Sequence, residues 1–415
     1  MPPPVWTELS VLFFHRCYHV WRGCGSPVQR FYFDHNATTP VSDEVLKVLI
    51  PALAGVYGNG SSIHYFGQVA KQHMEMARRT LATALGAGAR ELVFVSGGTE
   101  ADNLAILGSV RANPAPRRHV VTTSIEHVAV LNACAQLERE GVDVTYVPVG
   151  ADGLVDPDDI RLALRPETVL VSVMHVNNET GVVQPVERIG TMVRELGVLF
   201  HSDGVQALGK VPVNLATLPV DFYSLSGHKL NAPKGVGALF VRRRTRLTPI
   251  LFGGHHERDR RPGTENIPAL VAFAHAVEYA VSTLDDEAER IRELRDLLEE
   301  GIRERVPAVS VNGGSAPRSP NTTNICFEAI EGEAMVISLD LKGFAVSSGS
   351  ACSSGAVEPS HVLTAMGLPP DRARSSVRFS LGRGNSLDQV DALIDAVAES
   401  AAQLRKLSPS WKVTA

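Results

Sequence analysis

The chain has 415 residues, of which 44% are hydrophobic and 20% are charged. Its 40 basic and 45 acidic side chains give a formal net charge of −5, which argues against a direct nucleic-acid interface. The apolar runs all fall short of a bilayer span, which argues against a membrane protein. A chain of this length can bury a large core, and we expect two domains.

The chain has five cysteines, an odd count that does not suggest a disulfide framework. Cys17 and Cys24 are too far apart in sequence for a zinc knuckle, and the remaining cysteines are scattered. Unpaired thiols are typical of a reducing compartment. We therefore expect a cytoplasmic protein with no intrinsic metal site.

Residues 1–30 differ from the rest of the chain. They combine three prolines after Met1 with Trp6, Trp21 and three arginines, and they have no clear period. A targeting peptide is one interpretation, since arginines outnumber acids and residues 11–14 are apolar. The charged start of a secretory signal is absent, so we prefer an atypical extension that is dispensable or assigned to the chain in error.

Apolar, β-branched runs alternate with helical patterns over residues 91–241. The predicted strands are 92–95, 119–123, 144–148, 169–173, 198–202, 222–225 and 236–241, and helical spacing covers 101–110, 128–140 and 186–196. This alternation predicts a largely parallel seven-stranded sheet that is buried on both faces. Ligands of such sheets bind beyond the carboxyl ends of the strands.

The pattern changes after Pro268. A long segment with regularly placed charges, 269–305, is expected to carry the chain out of the first domain, and 312–346 and 377–381 resemble strands of a smaller α/β domain. The predicted division is a large domain at 46–280, a small domain at 281–415, and a segment at 31–45 that joins the small domain.

Two glycines follow the predicted strand 92–95, directly before a helical segment. Glycines allow close approach of the backbone to a phosphate, and the free N–H groups at a helix start bind it. Gly98 and Thr99 are therefore candidate phosphate ligands. A lone Gly-Gly-Thr is more often an ordinary turn, so this interpretation depends on the residues found further along the chain.

The residues that support a phosphate cofactor are an aspartate and a lysine at the ends of two later strands. Burial would lower the pKa of Lys229 and prepare its amine for Schiff-base chemistry with a carbonyl cofactor. Asp203 ends the strand before it and has the chemistry to keep the ring nitrogen of pyridoxal phosphate protonated. The alternative is that Lys229 and Lys234 are ordinary loop lysines.

Cys352 lies in the Ser/Gly-rich stretch 347–355, whose small residues are typical of a mobile loop. An exposed thiol in such a loop can react, whereas a buried one is inert. The alternative is a spare cysteine in a linker. Cys326, in an apolar strand pattern, and Cys134, in a helical one, are predicted to be core residues.

Arg378 alternates with apolar residues in a predicted strand, where a surface charge is not expected. Its guanidinium can bind a carboxylate through two parallel hydrogen bonds. Arg374 and Arg383 are the competing candidates, and we expect them to be solvated or paired.

Ten sequence blocks together carry a family resemblance. Blocks 32–40, 58–64, 96–103, 124–127, 175–181, 201–206, 226–229, 260–266, 347–355 and 375–383 read YFDHNATTP, GNGSSIH, SGGTEADN, SIEH, HVNNETG, HSDGVQ, SGHK, RRPGTEN, SSGSACSSG and SSVRFSLGR. Over residues 31–400 the chain resembles the NifS/IscS-type cysteine desulfurases, class V aminotransferases with the aspartate-aminotransferase-like fold. The stretch 347–355 resembles the long-loop branch.

The resemblance implies roles for the candidate residues. It places the cofactor phosphate on Thr99, Ser226 and His228, the cofactor ring beside Asn178 and Gln206, and His127 stacked on that ring, where it moves protons. It gives Lys229 the covalent link to pyridoxal phosphate and Arg378, with Asn178, the substrate. It also implies a homodimer, because Thr264 matches a residue that reaches the phosphate in the neighbouring subunit.

The implied reaction removes sulfur from L-cysteine, giving L-alanine and a persulfide on Cys352. The implied acceptor is an iron–sulfur scaffold protein or a tRNA- or cofactor-thiolation protein, and with a scaffold Cys352 could transiently ligate a cluster. The rival interpretations are a selenocysteine lyase, another class V aminotransferase-like enzyme, and a noncatalytic sulfur-carrier subunit. Neither nucleic acid nor membrane is an expected partner.

Overall fold

The computed structural model describes residues 29–348, 358–409 and 411. Most of the extension 1–30 and the candidate nucleophile Cys352 therefore lie outside the described residues. Strands and helices are numbered below along the described chain.

A seven-stranded sheet forms the centre of the larger part of the molecule. Its strands are β2 (Leu92–Val95), β3 (His119–Thr123), β4 (Asp143–Val147), β5 (Thr168–Ser172), β6 (Leu199–Asp203), β7 (Phe222–Ser226) and β8 (Gly237–Val241). The order is β2-β8-β7-β6-β5-β3-β4, in which β8 is antiparallel to both neighbours and the other neighbouring strands are parallel. The predicted strands are confirmed to within one residue at each end.

Helices cover both faces of this sheet, and strands β7 and β8 are buried throughout. They are α1 (Asp43–Gly55), α2 (Tyr65–Leu85), α3 (Gly98–Ala112), α4 (Val128–Arg139), α5 (Pro157–Ala163), α6 (Val186–Glu195) and α7 (Ile267–Ser282). One apolar cluster, the large cluster, joins α1, α2 and α7 to one face of the sheet. A smaller apolar cluster packs α3 and α4 on strands β2, β3, β7 and β8.

The remaining elements build another apolar cluster, called the second cluster below, around short sheets. These elements are β1 (Phe31–Tyr32), α8 (Leu284–Arg305), β9 (Val309–Val311), β10 (Thr322–Phe327), α9 (Gly332–Leu341), β11 (Phe344–Ala345), α10 (His361–Ala365), α11 (Pro370–Arg374), β12 (Ser376–Ser380) and α12 (Leu387–Leu407). Strands β12, β10 and β9 form an antiparallel sheet, while β1 pairs with β11 in parallel. Phe33 packs in this cluster, whereas Val45 packs in the large one.

The predicted long segment 269–305 consists of two helices. Helices α7 and α8 meet at Thr283 with a bend of 75°. The break coincides with a change of surroundings: α7 is mostly apolar and packs on the large cluster, whereas α8 is highly charged and packs on the second. Among the described residues no single helix has the length and apolarity of a membrane span, although α7 and α8 taken together do.

Candidate active site

The carboxyl ends of the parallel strands open into a cavity of about 540 Å³. Strand β6 delivers Asp203 to it, β7 delivers Ser226, and the turn after β7 delivers Lys229. Ten of the predicted site residues line this cavity, namely Gly98, Thr99, His127, Asn178, Asp203, Gln206, Ser226, His228, Lys229 and Arg378. Residues from six separate sequence blocks therefore meet in one place.

The two other predicted site residues, Thr264 and Cys352, are not among those that the structure places at this cavity. Thr264 is exposed and lines a different pocket together with Ser96 and Arg261. Cys352 lies outside the described residues, but Ser347, at the start of the same Ser/Gly-rich stretch, lines the cavity. The stretch that contains Cys352 therefore begins at the site.

The amine of Lys229 is held in an unusual environment for a lysine. Its Nζ donates hydrogen bonds to the backbone carbonyls of Asn36, at 2.5 Å, and Ala37, at 2.7 Å. Burial and the nearby Arg378 guanidinium lower the pKa of Lys229 to about 8, although Asp203 opposes the shift. A lowered pKa increases the fraction of uncharged amine near neutrality, which is the form that reacts with a carbonyl.

Asp203 is a buried carboxyl at the end of β6. Burial, and secondarily the neighbouring Asp102, raises the pKa of Asp203 to about 6. Its Oδ1 accepts a hydrogen bond from the Val205 N–H at 2.9 Å, which fixes the carboxyl at the cavity wall. A buried anion here favours a cationic partner, and a protonated ring nitrogen is such a partner.

The cradle predicted for a phosphate is formed by the start of α3 and the end of β7. Helix α3 begins at Gly98, where a Cβ would lie 2.7 Å from Val205 Cγ2, so a side chain at this position would crowd the wall. The hydroxyl of Ser226 is buried and has no hydrogen-bond partner among the described residues. A helix start with free N–H groups and an unpartnered hydroxyl fits an anionic phosphate.

His127 caps the N-terminus of α4. Its Nδ1 accepts a hydrogen bond from the Ala129 N–H at 3.1 Å, so that nitrogen carries no proton. Burial lowers the pKa of His127, although Asp203 acts in the opposite direction. The imidazole is therefore held neutral with its Nε2 as the protonated nitrogen, an arrangement suited to proton transfer.

Arg378 lies on β12, in the antiparallel sheet, yet it faces the cavity. Its Nη2 pairs with Asp34 Oδ1 at 2.7 Å, and its Nη1 donates to the Asn178 backbone carbonyl at 2.9 Å. The Nε is buried and has no hydrogen-bond partner among the described residues. Of the competing arginines, Arg374 pairs with Asp371 and Arg383 stacks on Tyr279, and neither lines this cavity.

Several residues of the site were not assigned a role from the sequence. Asn36 and Asp102 line the cavity, and Lys210 contacts Asn36 and Gln206 from behind it. Asn36 belongs to the block 32–40 that carries the resemblance, which was an available signal. For Lys210 no sequence pattern distinguished it from other loop lysines.

Comparison with known proteins gives the class first. The family model described as "Aminotransferase class-V" matches residues 31–393, and the chain belongs to this family. Within it the chain falls on the NifS/IscS-type cysteine desulfurase branch. A "Cysteine desulfurase" of Trichormus azollae is 48% identical over 91% of this chain and 94% of its own length. A "Cysteine desulfurase IscS" of Methanosarcina thermophila is 45% identical over 91% and 93%, respectively.

Solved structures agree with this assignment. A structure titled "NIFS-LIKE PROTEIN" superposes with a TM-score of 0.85 at 36% identity, covering 90% of this chain and all of that one. A second, titled "SspA in complex with cysteine", superposes with a TM-score of 0.76 at 37% identity, covering 84% and 98%. The predicted fold class, a seven-stranded α/β sheet with a smaller α/β part, is confirmed.

Proposed function

We propose that the protein is an L-cysteine desulfurase that uses pyridoxal 5′-phosphate. The observation that carries the proposal is the meeting, in one cavity, of a low-pKa lysine, a buried aspartate and an unpartnered hydroxyl beside a helix start. The cofactor, when bound, supplies an electron sink for the negative charge that develops on the substrate. Lys229 would hold its carbonyl carbon, Asp203 its ring nitrogen, and the Thr99–Ser226–His228 cradle its phosphate.

We propose that side chains of the protein itself carry out the proton transfers. The Lys229 amine lies at the cavity, and its lowered pKa would suit it to take and return a proton there near neutral pH. His127 is held neutral, so it can pass a proton between two atoms. His127 and Lys229 are both partly buried at the cavity, which limits the access of bulk water to them.

Arg378 is the proposed ligand of the substrate carboxylate. Its guanidinium is buried at the cavity and already half engaged by Asp34, and its Nε remains unpartnered. A carboxylate at this place would satisfy the buried Nε and use the fork geometry of the side chain. We propose that Asn178 supports this contact from its neighbouring position.

Cys352 is the proposed sulfur acceptor. Its thiolate attacks the substrate sulfur, the bond from that sulfur to the substrate β-carbon breaks, and the electron pair remains on the carbon. Protonation of the carbon releases L-alanine, while the sulfur stays on Cys352 as a persulfide. We propose that an iron–sulfur scaffold or a thiolation protein then takes this sulfur in the cytoplasm.

A homodimer is proposed on two grounds. Thr264 lies outside the cavity although its block matches the family's phosphate ligand, which suits a residue that serves a partner's site. The other ground is an exposed apolar surface on α1, α2 and the loop between them, where side chains are between 49% and 95% exposed; its members are Ile50, Leu53, Tyr57, Ile63, Tyr65 and Phe66. A surface of this kind is typical of an interface.

The test uses the purified full chain loaded with pyridoxal phosphate. Incubation with L-cysteine and no reductant should add one sulfur atom to the peptide that contains Cys352, with release of alanine. Cys352→Ser should bind the cofactor and substrate but produce no sulfide, since a hydroxyl is too weakly acidic to be the nucleophile at neutral pH. Cys326→Ser, at a buried cysteine, is the matched control.

Two results would overturn the proposal. One is a Cys352→Ser variant that still produces alanine and sulfide, and the other is sulfur mapped to Cys326. A selenocysteine lyase would instead turn over selenocysteine well and cysteine poorly in the same assay. A noncatalytic sulfur carrier would take up no cofactor.

A further inference from the structure

Lys210 follows β6 and the turn after it, and no role was assigned to it from the sequence. Its Nζ donates a hydrogen bond to Gln206 Oε1 and a second, of 3.2 Å, to Asn36 Oδ1. Both acceptors line the candidate cofactor cavity, whereas Lys210 itself does not. Lys210 therefore contacts the walls of the site from behind.

Lys210 and the Asn36 backbone carbonyl together set which way the Gln206 amide faces. The Lys210 Nζ donates to the amide oxygen, so Gln206 Oε1 points toward the lysine. The Gln206 Nε2 consequently points the other way, and it donates to the Asn36 backbone carbonyl at 2.9 Å. Without such a partner an amide can turn over and exchange donor for acceptor with little change in shape.

Asn36 links this arrangement to the catalytic lysine. Its backbone carbonyl accepts hydrogen bonds from both Gln206 Nε2 and Lys229 Nζ. Its side chain is held in turn by Thr322 and Asn321, near the start of β10. Lys210, Gln206 and Lys229 are thus joined through one buried residue.

A purely structural role would not require a lysine at position 210, because the surroundings of its side chain disfavour a positive charge. Burial, and then the positive charges of Lys229 and Arg378, lower the pKa of Lys210 well below its usual value. No carboxylate among the described residues forms a salt bridge with it. An apolar side chain would fill the space without that electrostatic cost.

We propose that Lys210 is a positioning residue that fixes the Gln206 amide with its N–H group toward the cofactor cavity. One amide hydrogen is engaged by Asn36, and the second is left to donate to an acceptor oxygen on the bound cofactor. This inference rests on the proposed function, since it takes the cavity to hold pyridoxal phosphate.

The experiment is a double-mutant cycle on the full chain, read out as the dissociation constant of pyridoxal phosphate in equilibrium dialysis. Lys210→Met should raise the constant about three- to tenfold, the range expected for one net hydrogen bond. In a Gln206→Leu background, Lys210→Met should have no further effect. Lys210→Arg, which keeps donors, should restore most of the affinity, and the exposed Lys234→Met is the matched control.

A second readout is the pH midpoint of the visible absorbance of the bound cofactor, which should shift in Lys210→Met and not in Lys234→Met. Equal and additive effects of Lys210→Met in both backgrounds would overturn the inference, as would an unchanged constant in the wild-type background. If Lys210→Met does not fold, Lys210→Leu, which also has no donor, replaces it in the same cycle with the same criteria. Failure of the premise is distinguishable, because a chain whose cavity does not hold pyridoxal phosphate would show no cofactor binding in the wild type, and the cycle does not depend on which substrate the enzyme uses.

Discussion

Lys229 differs from an exposed lysine of the same loop in what surrounds its amine. Lys234 is exposed, whereas Lys229 is partly buried and its amine donates to two backbone carbonyls. Backbone carbonyls accept a hydrogen bond without neutralising a charge, so they orient the amine while burial still lowers its pKa. The same few residues of chain thus contain one reactive amine and one solvated ammonium.

Lys229→Ala is expected to abolish the covalent attachment of pyridoxal phosphate and all turnover while leaving the fold intact. The reason is that alanine supplies no amine, whereas the surrounding strands β6, β7 and β8 are untouched. Borohydride reduction followed by peptide mapping should find the pyridoxyl group on residue 229 of the wild type. Lys234→Ala is the control and should keep the label, and a label on Lys234 would contradict the assignment.

A second residue-scale prediction concerns the buried carboxyl of Glu126. Its Oε1 accepts hydrogen bonds from Thr123 and from the Met174 N–H, and burial raises the pKa of Glu126 to about 8. In the unfolded chain a glutamate titrates near its ordinary value of about 4.3. The folded state therefore retains a proton that the unfolded state loses, so this group stabilises the fold below about pH 4 and loses that contribution as the pH rises to 8.

Glu126→Gln is expected to remove this pH dependence, because an amide does not titrate. Urea unfolding at several pH values between 5 and 8 should show the wild type losing stability relative to the variant, by a few kcal/mol over the range. The exposed Glu195→Gln is the control and should follow the wild type. Parallel curves for wild type and Glu126→Gln would show that Glu126 is ionised in the fold.

Sequence reasoning located the site residues that belong to local motifs better than those that act through tertiary contacts. Gly98, Asp203 and Lys229 each lie at a strand end or a helix start, where local pattern and chemistry coincide. Asn36 lies in the block 32–40, but its contacts with Thr322 and Asn178, which are far away in the sequence, could not be predicted from that block. The contacts of Lys210 could not be predicted either.

At the scale of elements, the end of β6 depends on close packing against β7. A Cβ at Gly204, directly after β6, would lie 2.0 Å from Tyr223 Cε1, and Tyr223 is fully buried with its hydroxyl 2.7 Å from His175 Nδ1. Neither ring can move without disturbing the other. The position of Asp203 is thus tied to the absence of a side chain on the next residue.

Gly204→Ala is accordingly expected to destabilise the protein by about 1–3 kcal/mol, the usual cost of overpacking a well-packed core. It should also weaken cofactor binding, since Asp203 would be displaced. Thermal unfolding and cofactor dissociation are the two measurements. Gly55→Ala, at the end of α1 where a Cβ meets nothing within 4 Å, is the control and should change neither.

Elements with a clear hydrophobic pattern were predicted well from the sequence, whereas elements whose limits depend on tertiary packing or strand pairing were not. The strands of the seven-stranded sheet are apolar and bounded by turn residues, so their limits could be predicted. The break between α7 and α8 has no proline or glycine to signal it and reflects the two clusters on which the helices pack. The two-residue strands β1 and β11 exist only because they pair with each other.

At the scale of the whole molecule, the division into domains at 46–280 and 281–415 stays a prediction. Two observations favour it. The boundary between the large cluster and the second cluster falls near Thr283, and the segment from Phe31 to Phe33 packs with the second cluster although it precedes the large domain in the sequence. The cavity is lined from both sides, with Lys229 and Asp203 on one and Arg378 on the other. Relative movement of the two parts would change the distance between these groups.

Deletion of residues 1–30 is expected to leave activity and oligomeric state unchanged. Phe31 keeps its backbone hydrogen bond to Gly343, and the ion pair of Arg30 with Asp340, which would be lost from the described part of the chain, is solvent-exposed and of little energetic weight. Activity with L-cysteine and sedimentation velocity are the measurements. Loss of solubility or of the dimer on deletion would mean that Trp6 or Trp21 packs against the body of the protein.

The position of Asn36 has a consequence for the order in which a newly made chain acquires its site. Asn36 emerges from the ribosome early, but its partners Asn321, Thr322 and Ser380 are translated near the end. The seven-stranded sheet, with Lys229 and Asp203, can form well before then, since domains fold as units during synthesis. A nascent chain ending before β10 would therefore contain Lys229 while Asn36, whose carbonyl accepts its hydrogen bond, still lacked these three partners, and cofactor bound at that stage would be held by an unfinished site.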